Sequence, residues 1–263
     1  MGAGGIFRPQ EPHGSVRILL ATGLAIAAVS NAAEPLRFAS GSARVTLIEL
    51  YTSEGCSSCP PADSWLGSLR DKTGLWTEFV PVEFHVDYWN GLGWRDRLSS
   101  HDFTARQYAY ASAWGRQSVY TPCFVRNGAE WRPIWGASDA SNGRVGSLSI
   151  EVGAGDVCRV AFVPGPAKRA AAGSYDIHVA LLGGGVSSRV TAGENRGATL
   201  GHEFVVLEMV NDTLAPDEAT RTHRATVKLP RSSFPGLKRR ALAAWVTLSD
   251  AMTPLQATGG WLP

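Results

Sequence analysis

Val45-Thr46-Leu47-Ile48-Glu49-Leu50-Tyr51 runs through Thr52-Ser53-Glu54-Gly55 into Cys56-Ser57-Ser58-Cys59-Pro60-Pro61-Ala62-Asp63. The apolar, β-branched opening predicts a buried strand over 44–51. Trp65, Leu66 and Leu69 at helical spacing predict a helix over 61–71 that ends near Thr73-Gly74. Two cysteines separated by two residues can close a disulfide within one turn. A thiol at a helix N-terminus is acidified by the orphan N–H groups and the macrodipole there. Proline belongs in a first helical turn. A helix that starts at Pro60 leaves the dithiol in the preceding loop, with the dipole acting on Cys59 more than on Cys56.

Outward from this unit, Phe79-Val80-Pro81-Val82-Glu83-Phe84-His85-Val86-Asp87 reads as the next strand. Ser99 or Ser100 is the expected cap of a helix over 102–114, with Phe103, Gln107, Tyr110 and Trp114 on neighbouring turns. Tyr120-Thr121-Pro122-Cys123-Phe124-Val125-Arg126-Asn127-Gly128 reads as a strand entering an Asn-Gly hairpin turn, with its return over 130–134. Helix after strand, repeated, implies a mixed sheet flanked by helices. From about residue 150 the character changes to short strand-like segments at 147–152, 158–163, 175–182, 203–210, 225–229 and 241–248, separated by Gly, Pro, Asn and Ser. The expected organisation is an α/β domain over 40–140, a boundary in 136–143, and a β-rich, sandwich-like C-terminal domain over 145–263.

Bulk composition narrows the function. A chain of 263 residues with 44% hydrophobic and 18% charged residues is globular, and a formal charge of +2 without like-charge runs argues against nucleic acid as a partner. Arg8 and Arg17 precede an apolar run at 18–29 that is followed by Ser30-Asn31-Ala32. The run is too short for a span of about 20 residues and reads as a signal peptide over residues 1–32, cut after Ala32. The expectation is an exported protein with no membrane association after cleavage. Export favours a disulfide over zinc at Cys56 and Cys59, and no second C-x-x-C completes a four-thiolate site.

These residues also carry a resemblance. The strand–dithiol–helix unit, followed by Thr121-Pro122 at a strand start, resembles the thioredoxin-like fold, in which a cis-proline faces the dithiol. More narrowly, residues 49–63, Phe84-His85-Val86-Asp87-Tyr88-Trp89-Asn90, Tyr120-Thr121-Pro122 and Gly193-Glu194-Asn195-Arg196-Gly197-Ala198-Thr199-Leu200-Gly201-His202 resemble the DUF1223 family of bacterial secreted proteins. The resemblance implies a thioredoxin-like domain in a periplasmic or secreted bacterial protein and leaves the activity open. The chain departs from the family pattern at Cys123, where a glutamine is common. Close to the dithiol, Cys123 would be an additional thiol able to form an alternative disulfide.

Read as chemistry, Cys56 is the expected nucleophile and the more exposed of the pair, and Cys59 resolves the mixed disulfide. Pro122, in the cis form, and Thr121 are expected to shape a groove for an extended substrate, and Trp89 to contribute apolar surface. Glu49, on the strand before the dithiol, is the expected proton relay, against the alternative of a simple ion pair. His85 and Asp87 share one strand face, either as a hydrogen-bonded pair or as an extension of the site. The expected function is an exported thiol–disulfide oxidoreductase acting on protein thiols, with no cofactor implied. The alternatives are a periplasmic copper or other metal-binding protein using the same cysteines, with His85, and a non-enzymatic binding module with a structural disulfide.

Overall fold

Strand dominates the described residues, at 47% against 13% helix. The computed structural model describes residues 1–6, 8, 34–132, 143–166, 174–229, 231–232 and 234–263. The apolar run at 18–29, the cleavage position at Ala32, and residues 136–142 of the expected domain boundary lie outside them. Within the compact unit Glu34–Pro263, the first strands are β1 (Leu36–Ala39) and β2 (Thr46–Thr52), followed by α1 (Pro60–Ser68), β3 (Phe79–His85) and α2 (His101–Ala113). Then come β4 (Cys123–Arg126), β5 (Ala129–Trp131), β6 (Gly146–Val152), β7 (Val157–Pro164), β8 (Tyr175–Gly184) and β9 (Val186–Arg189). The chain closes with β10 (Thr199–His202), β11 (Val205–Asp217), β12 (Thr222–Lys228), β13 (Arg239–Leu248) and β14 (Pro254–Leu262).

The expected α/β thioredoxin-like domain with a separate β-rich domain is not what forms. A 12-stranded mixed sheet runs through both halves in the order β1-β6-β7-β12-β11-β3-β2-β4-β5, with β8, β13 and β14 branching from β11. Among the described residues, strand–helix alternation is confined to the segment from β2 to α2, where α1 is the crossover between the parallel strands β2 and β3. Beyond β3 the sheet is continued by strands from the second half, through the parallel pairing of Val205 with Glu83. Two helices against fourteen strands, among the described residues, make the molecule mostly β.

Side-chain alternation explains how one sheet serves two cores. On β13, Ala241, Ala243 and Trp245 face a core shared with Leu50, Phe84 and Leu66, while Leu242, Ala244 and Val246 face another with Ile150, Phe162 and Leu148. On β8, Ala180 and Leu182 point to the first core and Ile177 and Val179 to the second. Such strands are buried on both faces and so read as continuous apolar runs without a period. Local signals were obeyed where they were strong. Ser100 caps α2, accepting from the Asp102 N–H at 3.2 Å. Asn127 and Gly128, both at positive φ, turn β4 into β5.

Candidate functional site

Strand β2 delivers the chain to the dithiol. Cys56 and Cys59 form a disulfide with Cα atoms 5.5 Å apart. Helix α1 begins at Pro60, so Cys59 is its N-cap, already with helical φ and ψ, and its carbonyl accepts from the Ala62 and Asp63 N–H groups. The positive helix end therefore acts on Cys59 first. Ser58 Oγ stands 3.3 Å from Cys56 Sγ. Ser57 and Ser58 are exposed, yet Cys56 is 1% exposed and Cys59 0%. The expected difference in exposure between the two cysteines is absent.

The backbone around Cys56 is held by residues from far along the chain. Asn195 Nδ2 donates at 2.9 Å to both Glu54 O and Cys56 O, and Glu194 Oε2 accepts the Ser57 N–H at 3.0 Å. This strap is seated by Gly193, at φ +73°, where a Cβ would meet Trp94 Cβ at 3.1 Å. Glu194 is held below the usual carboxylate range by its bonds to Ser57. Residues 193–202 carry no chemistry legible in the sequence, and the separation of 137 residues between Ser57 and Glu194 leaves no local signal of the contact.

The Thr121–Pro122 peptide is cis. The pairing of Cys123 with Tyr51 puts Pro122 at the end of β2 from which the dithiol loop departs. Trp89 joins the two: its Nε1 donates to Thr121 Oγ1 at 2.8 Å, and its Cβ lies 3.1 Å from where a Gly55 side chain would begin. Cys56, Cys59, Thr121, Pro122 and Trp89 are thus brought to one end of the sheet. Cys123 is a buried free thiol, and burial pushes it up to about 11, which keeps it protonated at neutral pH. Cys158, also free and buried, belongs to the second core.

Glu49 lies apart from these residues. Along β2 it shares a face with Tyr51, while Thr52 shares the opposite face with α1 through its hydroxyl bond to Asp63 Oδ1 at 2.6 Å. The Glu49 carboxylate accepts from Arg106 Nε at 2.9 Å, Tyr110 OH at 2.5 Å and Tyr51 OH at 3.1 Å. Burial and then the Glu49 charge raise both tyrosines well above their ordinary range.

The α1 face of the sheet carries a polar cluster that sequence reasoning missed apart from His85. His85 Nδ1 lies 2.6 Å from Asp96 Oδ2 and His85 Nε2 2.7 Å from Glu83 Oε1. His202 Nδ1 lies 2.8 Å from the same Glu83 oxygen and His202 Nε2 3.5 Å from Glu54 Oε1. All five side chains are at most 2% exposed. Burial alone would lower both imidazoles. The carboxylates reverse this, Asp96 and Glu83 holding His85 well above its ordinary value, and Glu83 and Glu54 holding His202 at about 9. Conversely, burial would raise Glu83, Asp96 and Glu54, and the imidazolium ions bring all three below the usual range. Asp87, expected to pair with His85, instead accepts from Thr104 Oγ1 at 2.6 Å.

As a metal site the cluster fits poorly. Glu83, His85 and His202 offer ligand atoms within 4.8 Å of one another. But Glu83 Oε1 sits at hydrogen-bonding distance from both imidazoles, in the position that an ion bonded at about 2.0–2.1 Å would need. Both nitrogens of His85 are committed to carboxylates and the two cysteines to each other.

No curated protein matches the chain. A crystal structure of a protein from Agrobacterium tumefaciens is similar at 27% identity and TM-score 0.55, over 83% of this chain and 94% of that one. HBP35 of Porphyromonas gingivalis is similar in fold, with TM-score 0.58 at 14% identity, over 85% of this chain and 76% of that one. The sequence matches the family described as Protein of unknown function (DUF1223) over residues 47–247, which includes the dithiol, Trp89, the cis-proline, the strap and the buried cluster, and the chain belongs to that family.

Proposed function

We propose that this protein is an exported thiol–disulfide oxidoreductase that exchanges disulfides with protein thiols through Cys56 and Cys59. The observation that carries the reading is the Cys56–Cys59 disulfide at the N-terminus of α1, next to the cis Thr121–Pro122 peptide and tied to it by Trp89. In the reduced protein Cys56 attacks a substrate disulfide, with Ser58 Oγ placed to donate to its thiolate. Cys59 then attacks Cys56 Sγ, and the substrate sulfur leaves as a thiolate. Pro122, which has no N–H, and Thr121 form the wall along which a peptide lies. Access requires the Glu194–Asn195 strap to lift.

The burial of both cysteines favours a second reading, a structural bridge that fixes the strap to the dithiol loop. Reduction of insulin by dithiothreitol separates the two. The exchange reading predicts acceleration that Cys56→Ser abolishes; no acceleration by the intact protein supports the structural bridge. Export predicts a mature chain that begins at Ala33 when the full sequence is expressed in a bacterium, read by mass spectrometry. An intact N-terminus on all of the protein would contradict it.

A further inference from the structure

Four carboxylates and two imidazoles lie together on the α1 face of the sheet, so ionising the fourth carboxylate adds a charge with no buried cation in the cluster to match it. Glu54, Glu83 and Asp96 as anions already outnumber His85 and His202 as cations. The fourth carboxylate, Asp63, is 3% exposed. One of its oxygens accepts from Thr52 Oγ1 at 2.6 Å. The other, Oδ2, finds no hydrogen-bond partner among the described residues. Burial and then the charge on Glu83 push Asp63 up to about 7, against the pull of His202, the Thr52 hydroxyl and His85.

Position links this acid to the disulfide. Asp63 follows Cys59 by four residues, and its N–H donates to Cys59 O at 3.1 Å. Cys59 has helical dihedrals, φ −79° and ψ −37°, so the two side chains stand on the same helix face with Cβ atoms about 5–6 Å apart. The unpartnered carboxyl oxygen therefore belongs to a polar side chain one helical turn from the buried cysteine.

We propose that Asp63 exchanges a proton with Cys59 each time the disulfide closes or opens, an inference that rests on the exchange reaction proposed above. On closure, Cys59 S–H gives its proton to the Asp63 carboxylate as its sulfur attacks Cys56 Sγ. The Cys56–Cys59 bond forms, and the bond from Cys56 to the substrate sulfur breaks. The electron pair leaves on the substrate thiolate, which takes a proton from water. The two cysteines are oxidised and the substrate disulfide is reduced. On opening, a substrate thiolate attacks Cys56, and Cys59 departs as a thiolate that takes the Asp63 proton. Thr52 from β2, Glu83 and His85 from β3, and His202 from β10 set the proton affinity of Asp63, with Glu54 and Asp96 behind them. General acid–base assistance of this kind contributes roughly 10²–10⁴-fold.

Stopped-flow mixing of the reduced protein with 5,5′-dithiobis(2-nitrobenzoic acid) tests the proposal. The first thionitrobenzoate released reports attack by Cys56, and the second reports closure by Cys59. The second rate in the wild type should rise with pH through an inflection near 7. In Asp63→Asn it should lose that inflection and fall about 100-fold at pH 7, with the first rate unchanged. Thr52→Val removes the hydroxyl that favours the carboxylate and should move the inflection to higher pH. It decides the matter if Asp63→Asn does not fold. Second-step profiles identical to wild type in every folded variant would overturn the role of Asp63. A wild type that releases no second equivalent, behaving like Cys59→Ser, would instead overturn the exchange reaction and with it this proposal.

Discussion

The strap over Cys56 is held by a side chain whose removal has a calculable effect. Asn195→Ala deletes two hydrogen bonds, to Glu54 O and Cys56 O, both at 2.9 Å. A neutral hydrogen bond contributes a net 0.5–1.5 kcal/mol, so losing the pair lowers the cost of lifting the strap by about 2 kcal/mol. That corresponds to roughly 30-fold more of the open form. The Glu194 contact to the Ser57 N–H and the seat of Gly193 against Trp94 remain, so the segment keeps its course while losing its hold on the dithiol loop. When opening and closing are fast relative to attack, reduction follows the open population. Reduction of the oxidised protein by a water-soluble phosphine, quenched by alkylation and read by mass spectrometry, should therefore be about 30-fold faster in Asn195→Ala. The same loss weakens the folded state, so the thermal midpoint should fall by roughly 4–8 °C. Equal reduction rates within twofold, in a variant that folds, would refute the view that the strap controls access to Cys56.

Two further outcomes test the buried charges. Glu49→Gln leaves Arg106, 9% exposed in its side chain, without its anion; breaking one side of a buried pair costs about 3–5 kcal/mol. Urea denaturation should show this loss, while disulfide exchange stays within threefold of wild type because Glu49 lies on the α2 face; an unchanged midpoint would count against the assignment. His202 is raised from 6.5 to about 9 on folding, Glu83 and Glu54 overcoming burial. Its stabilisation is complete below pH 6.5 and is lost as pH rises through 9. His202→Gln should flatten the fall in stability between those values in denaturation curves, and an equal fall in both proteins would contradict it.

The legible parts of this chain were those governed by local rules. Cys56-Ser57-Ser58-Cys59-Pro60 announced the turn and the helix start, and Asn127-Gly128 the hairpin, because turn and cap chemistry acts over a few residues. The architecture was not legible from the same signals. The parallel pairing of Val205 with Glu83, which carries second-half strands into the β3 edge, is a long-range choice, and the doubly buried β8 and β13 show no period that would say which sheet they join. The site divided in the same way. Trp89, Thr121 and Pro122 do gather near the dithiol. Glu49, chosen for its position on the strand before Cys56, points to the other face, as strand alternation from Thr52 dictates once Thr52 is seen to meet α1. Asp63 was open to discovery, since four residues after Cys59 on a helix is the same face. Asn195 and His202 were not, because only the tertiary fold brings them to Cys56 and Glu83.

The most direct measurement is the reduction potential of the Cys56–Cys59 pair, obtained by equilibrating the protein in glutathione buffers and counting alkylated thiols. An exchange-active dithiol predicts a value between about −120 and −270 mV, the span of known exchange proteins. A value below about −300 mV, with no thiol titrating below the ordinary cysteine range, would contradict the account and leave the disulfide as a structural bridge.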